Sequence, residues 1–406
     1  MKKPILQIDD AELPYAYWLC NIAGVGKKTI EYLLTQIGSP ETIYNLSEVQ
    51  LLPFLTEQQK NKGLAERIMQ FKEKRDIHKE YQMLLNNGIH FTFLGHIEYP
   101  VRLANIPDAP YALYYRGSLP DQDKPSVAII GARNCSEYGR HMAEIFGKEL
   151  AIAGIQIISG MARGIDGIGQ KEALLAGGYS LGVMGCGVDI CYPSENKELY
   201  DVLCRQGGIC SEYPPGMQPK NTLFPPRNRI ISGLSDIVLV IEAKHRSGTL
   251  ITVDMALEQG KEVYALPGRV TDALSEGCNR LIQQGAGIAV SPQDLIRTIS
   301  ENISSVILSN EKTGPPNLAL SDMKSKTKSN KKSNVVSAKQ FNMFDKTQSE
   351  IISILDYSPQ SVEVIKKQML LKYQHDIPLP ELMNQLVKLS LSGAVKQISN
   401  SYFVKG

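Results

Sequence analysis

The chain has 406 residues, of which 43% are hydrophobic and 21% charged, and its formal net charge is +2. This length suggests two or three domains and this composition is typical of a globular protein, which excludes a disordered chain, a fibrous chain and a small disulfide-held scaffold. Because the net charge is close to zero, any binding site for a polyanion must come from local clusters of cations.

The cysteines and the N-terminal residues indicate the cellular compartment of the protein. The seven cysteines include no Cys-x-x-Cys pair, and an odd number at irregular spacing is typical of reduced thiols. Asp9, Asp10 and Glu12 interrupt the apolar run that a signal peptide needs, and no run of about 18 apolar residues predicts a membrane span. The sequence therefore predicts a cytoplasmic protein with no membrane span.

Residues 1–90 are predicted to form an all-helical domain, with two short helices followed by a long charged helix through about residues 57–85. The run 24–29 (GVGKKT) joins the first two helices. A Gly-x-Gly turn can direct backbone N–H groups at a DNA phosphate, as in helix-hairpin-helix modules, or it can simply join packed helices. A Walker A loop is excluded, because Asn21 and Lys28 stand where its first glycine and its Ser or Thr belong.

Residues 91–300 are predicted to form the main domain. A connector rich in proline and tyrosine, residues 91–125, leads into strands that alternate with helices. This alternation predicts an α/β domain built on a parallel, doubly wound sheet. The predicted strands are residues 126–130, 155–159, 180–184, 209–211, 236–243 and 262–266.

The C-terminal part is predicted as a basic linker, residues 301–346, and a winged-helix domain, residues 347–406. The linker is either a solvated tether or a weak, salt-sensitive phosphate contact. Its clustered cations are Lys324, Lys326, Lys328, Lys331 and Lys332. The recognition helix, Leu379–Leu391, carries Lys388 as its one cation, which favours a protein contact or a regulatory role over binding of duplex DNA.

Glycine and arginine follow the first two predicted strands of the sheet. The candidate residues in these two turns are Gly131 and Arg133, then Gly160, Arg163 and Gly164. Ligands of an open parallel sheet bind at the carboxyl ends of its strands, where glycines let a phosphate approach the backbone and arginines pair with it. Because no turn has the G-x-G-x-x-G spacing, the sequence predicts no dinucleotide cofactor.

The segment from 219 to 235 combines cations with an aromatic ring. Its candidate contact residues are Lys220, Phe224, Arg227, Asn228 and Arg229. Together they predict a groove that tracks phosphates and stacks bases, the two ingredients of single-strand binding. Alternatively the arginines pair with acids and the phenylalanine belongs to the core. Downstream, Ser247, Gly248 and Thr249 open a helix and are further candidates for phosphate contact.

Catalytic and metal sites are not predicted. The six histidines lack the spacing of known metal motifs. Asp166, Glu242 and Glu258 are acids near the predicted site, but each also fits a structural role such as a helix cap or a strand end.

Several long motifs in this order resemble the DprA/Smf family of bacterial DNA-processing proteins. The matching runs are residues 131–133, 159–166, 211–216, 224–233, 246–252 and 277–282. One departure is Ala132, where the family often has Ser or Thr, so one hydroxyl contact to phosphate is missing.

The resemblance implies a Rossmann-like domain with an N-terminal helical domain of sterile-alpha-motif or helix-hairpin-helix type and a C-terminal winged helix. It further implies a non-enzymatic protein that binds and protects incoming single-stranded DNA, forms a homodimer through the Rossmann-like domain and loads RecA during natural transformation and recombination. On this resemblance Arg133 and Arg163 are the pocket arginines.

Two other functions stay open at this point. The Lonely-guy family of nucleoside-monophosphate phosphoribohydrolases has a similar open sheet, although its Pro-Gly-Gly-x-Gly-Thr run is replaced here by residues 246–249 (RSGT). Fold analogy alone does not carry an activity. A structural scaffold, with every arginine in an ion pair, is the third interpretation.

Overall fold

The computed structural model describes residues 9–56, 59–60, 63–311, 346–356, 360–399 and 402–405. The chain divides into two compact units, Met1–Ile303 and Ser304–Gly406. The clustered lysines of the predicted linker lie outside the described residues. The domain boundaries at 90, 300 and 346 stay predictions.

The first unit begins with helices, and one of them differs from the sequence prediction. They are α1 (Leu13–Asn21), α2 (Lys27–Ile37), α3 (Pro40–Asn45), α4 (Glu48–Leu51), α5 (Leu64–Glu73) and α6 (Ile77–Asn86). The single helix predicted for residues 57–85 is wrong, because α5 ends before Asp76 and a new helix starts there. The Asp76 carboxylate accepts a hydrogen bond from the backbone N–H of Lys79 at 3.0 Å, the geometry of an N-cap.

A nine-stranded sheet forms the centre of the first unit. Its strands are β1 (His90–Phe93), β2 (Ala112–Gly117), β3 (Ser126–Ile130), β4 (Gln156–Ser159), β5 (Ser180–Val183), β6 (Gly208–Ser211), β7 (Ile237–Val240), β8 (Glu262–Ala265) and β9 (Gly287–Ile288). Their order is β1-β2-β6-β5-β4-β3-β7-β8-β9. The strands from β6 to β9 in this order are parallel, whereas β1 and β2 are antiparallel to their neighbours. The predicted α/β class with a mostly parallel sheet is confirmed.

Helices cover both faces of this sheet. They are α7 (Val101–Ala104), α8 (Glu137–Ile152), α9 (Ile165–Leu175), α10 (Lys197–Gln206), α11 (Phe224–Gly233), α12 (Gly248–Glu258), α13 (Glu276–Gln283) and α14 (Pro292–Glu311). Alternate residues of β3 point to opposite sides, so Ala128 and Ile130 pack with α11 and α12, and Val127 and Ile129 pack with α8 and α9. Burial on both faces explains why these strands read as continuous apolar runs.

The second unit is small and has its own core. It contains α15 (Lys346–Ile354), β10 (Gln360–Ser361), α16 (Val362–Tyr373), α17 (Leu379–Leu391), β11 (Val395–Ser399) and β12 (Tyr402–Lys405). The three strands form an antiparallel sheet in the order β10-β12-β11. Ile351, Ile365, Leu386 and Phe403 are fully buried between these helices and strands.

None of the helices within the described residues combines the length and the apolarity needed to cross a bilayer.

Two helices of the first unit, α8 and α9, cross closely at Gly147 and Gly169. A Cβ atom on Gly147 would lie 2.4 Å from the carbonyl oxygen of Gly169, well inside van der Waals contact. We expect Gly147→Ala to lower the free energy of unfolding by about 1–3 kcal/mol, because the helices must separate. Urea denaturation measures this, with Lys148→Ala on the solvent side of α8 as the control. Equal midpoints for Gly147→Ala and the parent would contradict the close crossing.

Candidate nucleic-acid interface

A cavity of about 440 Å³ opens at the carboxyl ends of β3 and β7. Most of the residues singled out from the sequence line it, namely Gly131, Arg133, Phe224, Arg227, Asn228, Ser247, Gly248 and Thr249. Gly160 and Arg163 line a smaller cavity beside it, together with Arg133, Phe224 and Arg227. The structure thus brings the turns after β3 and β4, the start of α11 and the start of α12 to one edge of the sheet.

Two of these turns are pinned to each other by a close backbone approach. Gly164 has a φ of +73°, and a Cβ atom there would lie 2.3 Å from the carbonyl oxygen of Ala132. The same oxygen accepts a hydrogen bond from the N–H of Ile165 at 3.2 Å. Glycine at 164 is therefore required, since an L side chain would be strained and would clash. The result is a fixed ridge formed by residues 132–133 and 163–164.

Exposed cations surround the cavity. Arg133, Lys244 and Arg246 are all solvent-exposed, and none of them forms an ion pair with another residue in the described part of the chain. Arg133 and Lys244 line the cavity itself, and Arg246 directly precedes Ser247 at its wall. The sequence analysis assigned Ser247, Gly248 and Thr249 to the site but not Lys244 and Arg246 just before them, which the fold also brings to the cavity.

The start of α12 carries an unsatisfied polar group. Ser247 is the N-cap residue but makes no capping hydrogen bond. Its Oγ atom is buried and finds no hydrogen-bond partner among the described residues. Buried hydroxyls normally have a partner, and the helix N-terminus beside this one lines the cavity, which makes the start of α12 a candidate place for an anion.

Arg227 is buried, in contrast to the prediction of a strand-facing cation. Its side chain is 5% exposed and its Nη1 donates to the carbonyl of Gly160 at 3.0 Å and also to the carbonyl of Val183. Burial lowers the pKa of the Arg227 guanidinium, and the nearby Asp166 carboxylate opposes that shift. Arg227 therefore braces the ends of β4 and β5 below the cavity floor.

Asp166 and Glu242, the buried acids considered for catalysis, hold backbone turns. Asp166 accepts the N–H of Gly131 at 3.3 Å and that of Gly160 at 3.2 Å. Glu242 accepts the N–H of Ser136 at 3.0 Å and the hydroxyl of the same serine. Burial raises the pKa of both carboxyl groups, and Arg227 opposes the shift at Asp166. Both acids thus have structural contacts, but Asp166 is not the helix cap that the sequence suggested, because the N-cap of α9 is Gly164.

Arg229 forms ion pairs with two acidic residues, as the alternative interpretation anticipated. Its guanidinium lies 2.7 Å from Glu212 and 3.1 Å from Asp108, and the side chain is 12% exposed. Asp108 also pairs with Lys27 at 2.8 Å, and the hydrogen bond from that lysine is the main reason why the pKa of Asp108 is lowered. The predicted helix-joining turn at residues 24–29 is thereby tied to α11.

The aromatic part of the site contains a residue that sequence reasoning missed. Phe224 packs so closely on Gly185 that a Cβ atom there would lie 2.5 Å from the ring. The ring of Tyr192 stacks on Phe224 with 5.3 Å between centroids and 23° between planes, and Tyr192 is 43% exposed. The outward-facing ring of the pair is therefore Tyr192. Lys220 is exposed and precedes the short turn Asn221–Leu223 that leads into α11.

Among the described residues, no group of three or more His, Cys, Asp or Glu side chains is arranged to hold a metal ion.

This fold and site define an open-sheet α/β protein whose carboxyl edge presents cations and backbone N–H groups to a polyanion. The family model described as "DNA recombination-mediator protein A" matches residues 90–300. The chain belongs to this family, and the predicted resemblance to DprA/Smf proteins is confirmed.

Named relatives support the same assignment. DNA processing protein DprA of Streptococcus pneumoniae is 46% identical over 200 residues, which cover 49% of this chain and 70% of the relative. Protein Smf of Escherichia coli is 43% identical over 202 residues, covering 50% of this chain and 54% of the relative. An X-ray structure of DNA processing protein A from Streptococcus pneumoniae superposes with a TM-score of 0.59 at 33% identity, covering 72% of this chain and 98% of that chain.

We expect Arg227→Ala to lower the free energy of unfolding by about 1–3 kcal/mol, because it leaves the carbonyls of Gly160 and Val183 without their donor and removes the positive charge near the buried Asp166. Urea denaturation measures the loss. Arg133→Ala is the matched control, and its solvent-exposed side chain should change stability by less than about 0.5 kcal/mol. Equal stability of both variants would show that Arg227 is not a structural brace.

Proposed function

We propose that this protein binds single-stranded DNA at the 440 Å³ cavity and hands it to a recombinase during transformation and recombination. The observation that carries the proposal is the placing of the exposed Arg133 and Lys244 at a cavity that is also lined by the start of α12, where the buried Ser247 hydroxyl has no partner among the described residues. This combination suits a phosphate, which accepts from the hydroxyl and the helix N–H groups and pairs with the cations.

Unpaired bases suit the site better than a duplex does. The exposed ring of Tyr192, supported from below by Phe224, offers a stacking face beside the cationic cavity. Stacking platforms next to a cationic groove are typical of proteins that bind single strands without reading a sequence. The family's description as a recombination mediator and the relatives' names as DNA processing proteins agree with this substrate.

The finer assignments follow from the family rather than from the site. We propose RecA as the recombinase, a homodimer through the Rossmann-like domain, and a role without covalent chemistry. We also propose a sterile-alpha-motif or helix-hairpin-helix type for the N-terminal helices and a winged helix for the second unit. Because α17 has one cation, Lys388, we assign the winged helix to a protein contact before duplex binding.

The proposal is tested by fluorescence-anisotropy titration of matched single-stranded and double-stranded oligonucleotides across a salt series. We expect the single strand to bind more tightly, with affinity that falls as salt rises. Equal binding of both forms, together with release of free base from nucleoside monophosphates, would favour the phosphoribohydrolase alternative instead.

Arg133→Ala and Lys244→Ala should each weaken single-strand binding about fivefold at about 0.1 M salt. Removing one phosphate-pairing cation lowers the salt slope by about 0.7 for a single strand, which gives this factor. Lys79→Ala, an exposed lysine on α6, is the control and should bind as the parent does. A salt slope that both cavity variants leave unchanged would place the phosphates elsewhere.

Tyr192→Ala should weaken single-strand binding by about 1–3 kcal/mol, because a base loses its stacking partner. The same titration measures it. Tyr192→Phe keeps the ring and should retain the parent affinity, which separates stacking from a hydroxyl contact. Unaltered binding by Tyr192→Ala would remove this ring from the site.

A further inference from the structure

A second, larger cavity of about 790 Å³ lies on the other side of Arg133, bounded by α8, α9 and α10. It shares Arg133 and Asn134 with the first cavity, and it shares Arg163 with the small cavity between them. The three cavities are therefore contiguous around the ridge of residues 132–133 and 163–164.

The ridge places two arginines between the cavities. Arg133 lines all three cavities, and Arg163 lines the small one and the large one. Because the close approach of Gly164 to Ala132 fixes the backbone of the ridge, both arginines project from a fixed backbone. An anionic chain that leaves the first cavity in this direction meets cations at each step.

The charges of the second cavity favour a polyanion. Its lining carries four cations against two acids: Arg133, Arg140, Arg163 and Lys171 against Glu195 and Glu198. Arg163 pairs with Glu195 at 3.3 Å, but both side chains are more than half exposed, and such pairs are weak and salt-screened. Lys171 on α9 is exposed and has no ion-pair partner in the described part of the chain.

The second cavity also has apolar lining residues, in addition to the charged ones. Leu175 is 69% exposed at its edge, and Ile168 of α9 and Val202 of α10 are half-buried in its wall, next to the buried Leu174 and Leu199. A nucleotide chain has the matching chemistry, since its phosphates are anionic and its bases have apolar faces. A small inorganic anion would leave this wall uncovered.

We propose that a single strand bound in the first cavity crosses the Arg133–Arg163 ridge and continues into this second cavity. Its phosphates pair with Arg163 and Lys171, and its bases pack against the apolar wall between α9 and α10. This inference rests on the proposed function, because it extends the path of the same ligand.

The test measures how affinity depends on strand length, using the full chain and oligothymidylates from the dinucleotide upwards. For the parent, affinity should rise with length until both cavities are filled. For Lys171→Ala, binding of the shortest oligomers should be unchanged, and binding of long oligomers should fall about fivefold at about 0.1 M salt, as expected when one phosphate has no cation to pair with. Lys148→Ala, exposed on α8 outside the cavity, is the control and should follow the parent.

The two proposals fail in different ways. If Lys244→Ala weakens binding at every length and Lys171→Ala at none, the path into the second cavity is overturned and the proposed function stands. If neither variant changes binding of any oligomer, both proposals are overturned. Arg140→Ala is a second probe of the same cavity, and it should repeat the length-selective loss seen with Lys171→Ala.

Discussion

The site depends on two buried residues of opposite charge, Arg227 and Asp166, and on the backbone groups to which each of them is hydrogen-bonded. Asp166, in the first turn of α9, accepts backbone N–H groups from the turns after β3 and β4, and Arg227, in α11, donates to carbonyls at the ends of β4 and β5. Buried charged groups are tolerated when they are hydrogen-bonded, so neither side chain can move without leaving these backbone groups unpaired. Three neighbouring strand ends and two helices are therefore held in one arrangement. That arrangement brings the glycine-rich turns together.

Two arginines near these turns have different roles. Arg227 is inside and fixes the backbone, whereas Arg133 is outside and keeps its guanidinium available. An exposed arginine on a rigid turn loses less conformational freedom on binding than one on a mobile loop, which favours affinity. Ser247 and Lys244 face the same cavity from another element. The residues of the proposed anion site are thus already held together by the fold.

The sequence predicted the parallel strands well, because residues 126–130 and 180–184 are short apolar runs bounded by turns and buried on both faces. It missed β1 and β2, where prolines between the strands suggested a connector although the strands themselves are rich in aromatic residues. It also predicted the same role, contact with DNA, for Arg227 and Arg229. Arg227 instead donates to the carbonyls of Gly160 and Val183, and Arg229 pairs with Glu212, and these partners become neighbours only through the fold. Tyr192 was missed for the same reason, since its stacking on Phe224 leaves no local pattern.

Ion pairs of Asp108, whose side chain is largely exposed, connect α11 to the N-terminal helices. Asp108 pairs with Lys27 at the start of α2 and with Arg229 of α11, and Arg229 pairs in turn with Glu212 beyond β6. Lys27 is therefore directed toward α11 rather than toward solvent, which favours the interpretation of residues 24–29 as a joining turn. Lys28 remains exposed on the same turn. Because α11 also carries Phe224 and Arg227, a strand bound at the proposed site would contact a helix that Asp108 links to the N-terminal helices.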